Sequence, residues 1–257
     1  MEILKNKIVF ITGATSGIGR ACAYAFAKEN ASLVLCGRRV SLLKSIKNDI
    51  EFKFGVDVYT FQLDIRFKND VEKSIRQIPE KLKNIDILIN NAGLGRGFAK
   101  FYEDDTQNWD EMIDTNIKGL LYVTRAVVPG MVERKSGHII NLGSLAGHEA
   151  YPNGSVYCGT KHAVDAITKS LRMDVVDKNI RVSTVDPGMV ETEFSVVRFK
   201  GDEERAKNVY KGYTPLKAED IADAVLFTAS RPAHVNIAEI IIYPTAQASA
   251  TILHKQL

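Results

Sequence analysis

Cysteine is scarce in this 257-residue chain. The three present, Cys22, Cys36 and Cys158, lie in apolar or helical stretches with no CxxC spacing, so neither a disulfide framework nor a metal site is expected, and a reducing cytoplasm fits. Long apolar runs are lacking too: no stretch approaches the ~20 residues that a membrane helix needs. The apolar run near the N-terminus is strand-length and leads into a glycine turn without a small-residue cleavage site, which argues against a secretory signal. An excess of either charge is also missing. The 34 basic and 31 acidic residues leave a formal charge of +3 and are interspersed, so there is no basic stripe for a phosphate backbone. Nucleic acid and membrane are therefore not expected as partners, and a small-molecule substrate is. There is no repeat at fixed period and no Ser/Gly/Pro-rich linker, so residues 1–257 are expected to form one domain.

What the chain does have is alternation. Short β-branched runs at 7–12, 32–36, 56–62, 85–90, 136–142, 180–185 and 239–243 alternate with segments of helical periodicity. That pattern predicts an α/β fold, a doubly wound parallel sheet of about seven strands with helices on both faces. Each run is apolar enough to be buried on both faces. The one irregular stretch, residues 191–214, is charged and aromatic and has the length of a lid over a substrate.

The first strand runs into Thr12-Gly13-Ala14-Thr15-Ser16-Gly17-Ile18-Gly19 and then into a helix. Gly13 allows a tight turn, Gly17 a close approach of backbone to a pyrophosphate, and Gly19 close packing of helix on strand, while the helix N-terminus supplies amide donors. A glycine turn can also serve packing alone, and the GxxxGxG spacing differs from GxGxxG. Where an acid at the end of the second strand would accept a ribose 2′-hydroxyl, this chain has Cys36-Gly37-Arg38-Arg39. Two guanidiniums suit a 2′-phosphate, so NADP(H) is expected over NAD in a Rossmann-type fold.

Tyr157 and Lys161 are four apart at the start of a helical segment, hence on one face. A phenol is a poor acid near neutrality unless a cation favours the phenolate, a role open to Lys161, which can also hold a ribose. The strand ending His138-Ile139-Ile140-Asn141-Leu142 delivers Ser144 to the edge where open α/β sheets bind ligands, within reach of a substrate oxygen. Asn116 is a polar residue among apolar neighbours, either a satisfied buried amide or the holder of a proton-relay water.

The ordered set Thr12 to Gly19, Asp64, Asn90-Asn91-Ala92-Gly93, Asn116, Ser144, Tyr157-x-x-x-Lys161 and Pro187-Gly188 resembles the short-chain dehydrogenase/reductase family over essentially the whole chain. The resemblance implies Tyr157 as general acid/base, Ser144 as polariser of the carbonyl or hydroxyl, Lys161 as ribose holder and depressor of the tyrosine pKa, and Asn116 as relay holder. It implies Asp64 and Ile65 at the adenine, Asn90, Asn91, Ala92 and Gly93 on the adenosine side, and Pro187, Gly188, Val190 and Thr192 around the nicotinamide carboxamide, with Thr15, Ser16 and Ile18 in the turn. Ser144, Gly147, Tyr157 and Arg198 are the expected substrate contacts. A homotetramer is also implied. Within the family, the segments Thr192 to Asp202 and Pro244 to Ser249 resemble the NADP-dependent dehydrogenases of serine, allo-threonine and related 3-hydroxy acids. Such a substrate needs a cation for its carboxylate; among Arg198, Lys200 and Arg205, Arg198 is the choice because it lies between Val196-Val197 and Phe199. His148 and the C-terminal tail are the fallback. The alternatives are a 3-ketoacyl or other carbonyl reductase of the same family, although the glycine-rich ending of the acyl-carrier reductases is absent, and a non-catalytic dinucleotide-sensing scaffold, against which the intact Ser144, Tyr157 and Lys161 stand.

Overall fold

Seven strands form one parallel sheet in the order β3-β2-β1-β4-β5-β6-β7, as seen in a computed structural model that describes residues 3–256; the two residues before these and Leu257, at the ends of the expected 1–257 span, lie outside the description. The left half contains β1 (Ile8–Thr12), α1 (Gly17–Lys28), β2 (Ser32–Gly37), α2 (Val40–Phe54), β3 (Val58–Gln62) and α3 (Lys68–Arg76). The right half contains β4 (Ile87–Asn90), α4 (Thr106–Ile113), α5 (Leu120–Arg134), β5 (Gly137–Leu142), α6 (Ser155–Asp174), β6 (Ile180–Pro187), α7 (Phe194–Arg198), α8 (Glu203–Asn208), α9 (Ala218–Ala229) and β7 (Glu239–Ile242). Among the described residues no helix is long and apolar enough to cross a membrane.

The side-chain period of two divides the core between the faces of the sheet. Val9, Ile11, Leu33, Leu35 and Ile89 pack with Phe26, Ile50 and Val225 under α1, α2 and α9. Phe10, Val34, Leu88 and Ile139 pack with Val71, Val123 and Met131 under α3 and α5. This is why the central strands read as continuous apolar runs. The edges depart from that expectation: β3 is only partly buried and β7 alternates exposed with half-buried residues, because an edge strand has a sheet neighbour on one side only. The expected starts at 56, 85 and 136 fall one or two residues before the observed strands, and β6 runs on to Pro187.

Between α4 and α5 the helix widens into one π-helical turn, Asp114–Gly119, that turns Asn116 inward. A buried chain of polar side chains ties the right half together. Asn90 Nδ2 donates to Thr124 Oγ1 and to Asn141 Oδ1, both at 2.9 Å. Asn141 Nδ2 donates to Thr168 Oγ1 at 2.8 Å, and that hydroxyl donates to the Val164 carbonyl at 2.7 Å. Asn141 is the middle link, so Asn141→Ala strands polar partners on β4 and α6 as well as opening a small void. The variant is expected to lose about 2–4 kcal/mol of stability, read as a lower urea midpoint; an unchanged midpoint would show that the chain adds nothing to folding.

Candidate functional site

At the middle of the sheet, β1 connects leftward to β2 while β4 connects rightward to β5, so their carboxyl ends part and leave a crevice. A cavity of about 510 Å³ opens there, walled by the turn after β1, the ends of β2, β4, β5 and β6, the start of α6, and α7. Gly13, Thr15, Ser16, Gly17 and Ile18 form its floor. Gly13 and Gly17 have φ of +66° and +51°, a region that side chains disfavour. The first turn of α1 carries no acidic residue and its cap Ser16 is extended without a side-chain hydrogen bond, so the helix presents unpaired amides and positive dipole toward an anion.

Arg38 and Arg39 line the rim at the end of β2. Arg39 reaches Thr15 Oγ1 through Nε and Nη2 at 3.2 and 3.1 Å, and donates through Nη1 to Glu193 at 2.8 Å. Asp64 and Ile65 line the same end. Burial pushes the Asp64 carboxyl up, but bidentate hydrogen bonds from Arg66 outweigh this and hold it below the usual carboxylate range. Asn91, Ala92 and Gly93 form the wall above β4, and Pro187, Gly188, Val190 and Thr192 the wall above β6.

At the other end Ser144, Tyr157 and Lys161 come together on the cavity wall. Ser144 Oγ accepts the Ala146 N–H at 3.1 Å, leaving the hydroxyl proton to point elsewhere. Lys161 Nζ donates to the Leu142 carbonyl at 2.8 Å, and burial pulls its pKa down to about 8, opposed by Asp186. Burial raises the Tyr157 phenol, opposed first by the Arg198 guanidinium and then by a hydrogen bond with Ser144. The cation that opposes this burial is Arg198, while the Lys161 ammonium is turned to a backbone carbonyl. Arg198 lies over the Tyr157 ring at 4.7 Å and the Phe194 ring at 5.0 Å and donates to Tyr151 Oη at 3.0 Å; its Nε is buried without a hydrogen bond.

Four expected site residues stand outside the cavity wall. Asn90 points into the layer under α5, where Thr124 and Asn141 take its amide, because it is one residue out of phase with Asn91. Gly19 faces inward: a Cβ there would stand 2.3 Å from Asn91 Nδ2. Gly147 lets the turn after β5 rest on α6, since a Cβ would come 2.9 Å from the Lys161 carbonyl oxygen. Asn116 is spent on the backbone and on α6: Oδ1 accepts the Leu94 N–H, and Nδ2 donates to the Leu94 carbonyl and to Thr160 Oγ1. Lys200 pairs with Asp105, and Arg205 lies over Phe199. His148 faces Asp186 and Glu239. Residues that sequence reasoning passed over are Phe98, Tyr151, Glu193 and Phe194 on the wall, and Asp186 beneath it. Only Asp186 carried a signal, an acid inside an apolar strand just before Pro187-Gly188.

The profile of the short chain dehydrogenase family matches residues 7–203. An NADP-dependent 3-hydroxy acid dehydrogenase of Schizosaccharomyces pombe is 42% identical over 100% of this chain and 99% of its own. Sulfoacetaldehyde reductase 2 of Chromohalobacter salexigens is 44% identical over 95% of this chain and 96% of its own. Among solved structures, the closed form of a serine dehydrogenase complexed with NADP+ superposes with a TM-score of 0.90 at 41% identity, over 96% of this chain and 99% of that one. With the glycine turn at the switch point of the sheet and Ser144, Tyr157 and Lys161 gathered at its other end, this chain belongs to the short-chain dehydrogenase family.

Proposed function

We propose that the protein is an NADP-dependent dehydrogenase of a small anionic 3-hydroxy acid such as serine or allo-threonine. The observation that carries the substrate class is Arg198, a guanidinium packed among aromatic rings beside Tyr157 with a buried, unpaired Nε. Such a donor suits a carboxylate, and a neutral substrate would leave it unsatisfied.

The residues fit the cofactor. The turn from Gly13 to Gly19 would hold the diphosphate, Arg38 and Arg39 the 2′-phosphate, and Asp64 with Ile65 the adenine. Asn91, Ala92 and Gly93 would lie along the adenosine, Tyr157 and Lys161 along the nicotinamide ribose, and Pro187, Gly188, Val190 and Thr192 at the carboxamide. The cradle is shaped for this: a Cβ on Gly17 would stand 3.3 Å from Thr192, across the space where backbone and ligand must meet. When bound, the cofactor would supply the hydride acceptor for the carbinol carbon in its oxidised form and the hydride donor for the carbonyl in its reduced form. Ser144 Oγ donates to the substrate oxygen, and Tyr157 Oη takes the hydroxyl proton in oxidation and gives it back in reduction. Arg198 fixes the carboxylate, so the carbon bearing the oxygen is presented at one orientation. Residues 191–214 act as the lid, latched by Arg39 to Glu193 and by the Gly97 N–H donating to the Arg198 carbonyl at 3.1 Å. A cytoplasmic homotetramer completes the reading, supported by apolar side chains exposed at the right edge, Ile241 on β7 and Phe227 on α9.

A second reading follows from the 44% identity to a sulfoacetaldehyde reductase: the same guanidinium can take a sulfonate. A panel of serine, allo-threonine, other 3-hydroxy acids, sulfoacetaldehyde and neutral alcohols, followed by absorbance of the reduced nicotinamide, decides between them. Turnover confined to neutral substrates would remove the anionic class altogether.

NADP is expected to bind far more tightly than NAD. Loss of both guanidiniums in Arg38→Ala/Arg39→Ala should cost on the order of 1.5–3 kcal/mol per charged hydrogen bond for NADP and little for NAD, measured by fluorescence titration of the reduced cofactors. Tyr157→Phe should keep the fold and NADP affinity and lower kcat by a factor of about 10² or more, since the lost hydroxyl acts in the chemical step; near-normal turnover would remove Tyr157 from the proton path. Arg198→Met should raise KM for 3-hydroxy acids and leave a neutral alcohol almost unaffected. Equal losses for both would make Arg198 a lid residue only.

A further inference from the structure

We propose that Asp186 is a positioning residue of this site, its buried carboxylate fixing the Gly143-Ser144 turn next to the Leu142 carbonyl that holds Lys161, and supplying a counter-charge to that lysine. The inference rests on the roles given above to Ser144 and Lys161. It starts from the sheet register. Leu142 is paired with Val185, and the Gly143 N–H donates to the Val185 carbonyl at 3.0 Å. One residue further, where β5 has left the ladder, the Ser144 N–H is taken at 3.1 Å by Asp186 Oδ1. The side chain thus continues the ladder to the residue that meets the substrate. Contact is close enough to dictate the neighbouring residue: a Cβ on Gly143 would fall 1.6 Å from Asp186 Oδ1.

A neutral acceptor would hold Ser144 equally well, and burying a carboxylate is costly unless its charge is used. Asp186 is 2% exposed. The charged groups around it come from every packed element. Lys161 of α6 hangs on the Leu142 carbonyl, two residues before Ser144. His148, from the turn after β5, places Nε2 3.4 Å from Asp186 Oδ2 and 3.2 Å from Glu239 Oε1 of β7. Burial raises the Asp186 carboxyl, its Oδ2 is buried without a hydrogen-bond partner, and Lys169 of α6 acts on Glu239. Of these, Lys161 is the cation that works in the site, and Asp186 opposes the burial that draws its pKa down to about 8. Removing the charge therefore lets Lys161 lose its proton at lower pH.

Asp186→Asn keeps the shape and an acceptor for Ser144 while removing the charge; Asp186→Ala removes both. The measurements are kcat and KM for the best 3-hydroxy acid from pH 6 to 9, NADPH affinity by fluorescence over the same range, and the thermal unfolding midpoint. The Asn variant should unfold near the wild-type temperature and keep its KM at pH 6.5. Its alkaline limbs of kcat and of NADPH affinity should move to lower pH by roughly one unit, and kcat at pH 8 should fall about fivefold. The Ala variant should lose rate at every pH. If the Asn variant does not fold, Asp186→Ser, neutral but too short to hold Ser144, should lose rate at every pH and show the same shift of its alkaline limbs relative to its own rate at pH 6.5. A neutral variant with wild-type rate and limbs overturns the proposal. Tyr157→Phe run alongside tells which layer failed: if it is inactive only the inference about Asp186 falls, and if it too is normal the reading of the site falls with it.

Discussion

The tie between Thr12 and Asn91 is the constraint on which the site depends. Where β1 and β4 part, Thr12 Oγ1 accepts the N–H groups of Asn91 and Ala92 at 3.1 and 3.0 Å, and Asn91 Nδ2 returns hydrogen bonds to the carbonyls of Thr12 and Gly13. Two strand ends that diverge would otherwise expose backbone groups to the crevice without partners. The tie satisfies them and also sets the glycines. A Cβ on Gly13 would stand 2.9 Å from Ala92 Cα, and one on Gly19 would strike the Asn91 amide. Thr12, Gly13, Gly19 and Asn91 are thus four answers to one packing problem, and the open glycine turn is its by-product.

The two ends of the cavity are built from different physics. Toward β2 the cations are at the rim: Arg38 is exposed and Arg39 is shared between Thr15 and Glu193. These suit a ligand that arrives with its own charge from solvent and is chosen by a screened, adjustable fork. Toward α7 the guanidinium of Arg198 is walled by Phe98, Tyr157 and Phe194. In that apolar setting its field acts strongly on the neighbouring phenol, and an uncharged ligand gives it nothing in return.

The sheet was legible because each central strand is buried on both faces and so leaves an uninterrupted apolar run between turns. The edges were not, since an edge strand such as β7 carries the same Ile-rich run with half of it in solvent. Site residues were legible where chemistry needs a fixed spacing along one element, as with Tyr157 and Lys161 on α6. Some expected residues stand off the cavity wall because the deciding variable was phase. Asn90 and Asn91 are adjacent asparagines at a strand end, yet the pleat sends one to the crevice and the other under α5. Gly147 likewise reads as a site glycine and turns out to seat a turn on a helix. Arg198 was picked by its apolar flanks, but besides Phe194 on its own helix its surroundings come from Phe98, Tyr151 and Tyr157, far away in the chain, and no local pattern encodes that meeting.

The π-helical turn at Asp114–Gly119 gives the chain an unusual relation to length change. A π turn holds one more residue than the α-helix needs, so the helix on either side stays in phase with its core contacts only because the surplus is absorbed locally. Deleting a single residue inside it would regularise the backbone between α4 and α5 and leave Met112 and Val123 on the same faces as before. It would also withdraw Asn116 from Leu94 and Thr160. In most helices a one-residue deletion rotates everything downstream and ruins the core; here the fold has a position where shortening is structurally benign, and the segment between the cavity wall and α6 is what bears the consequence.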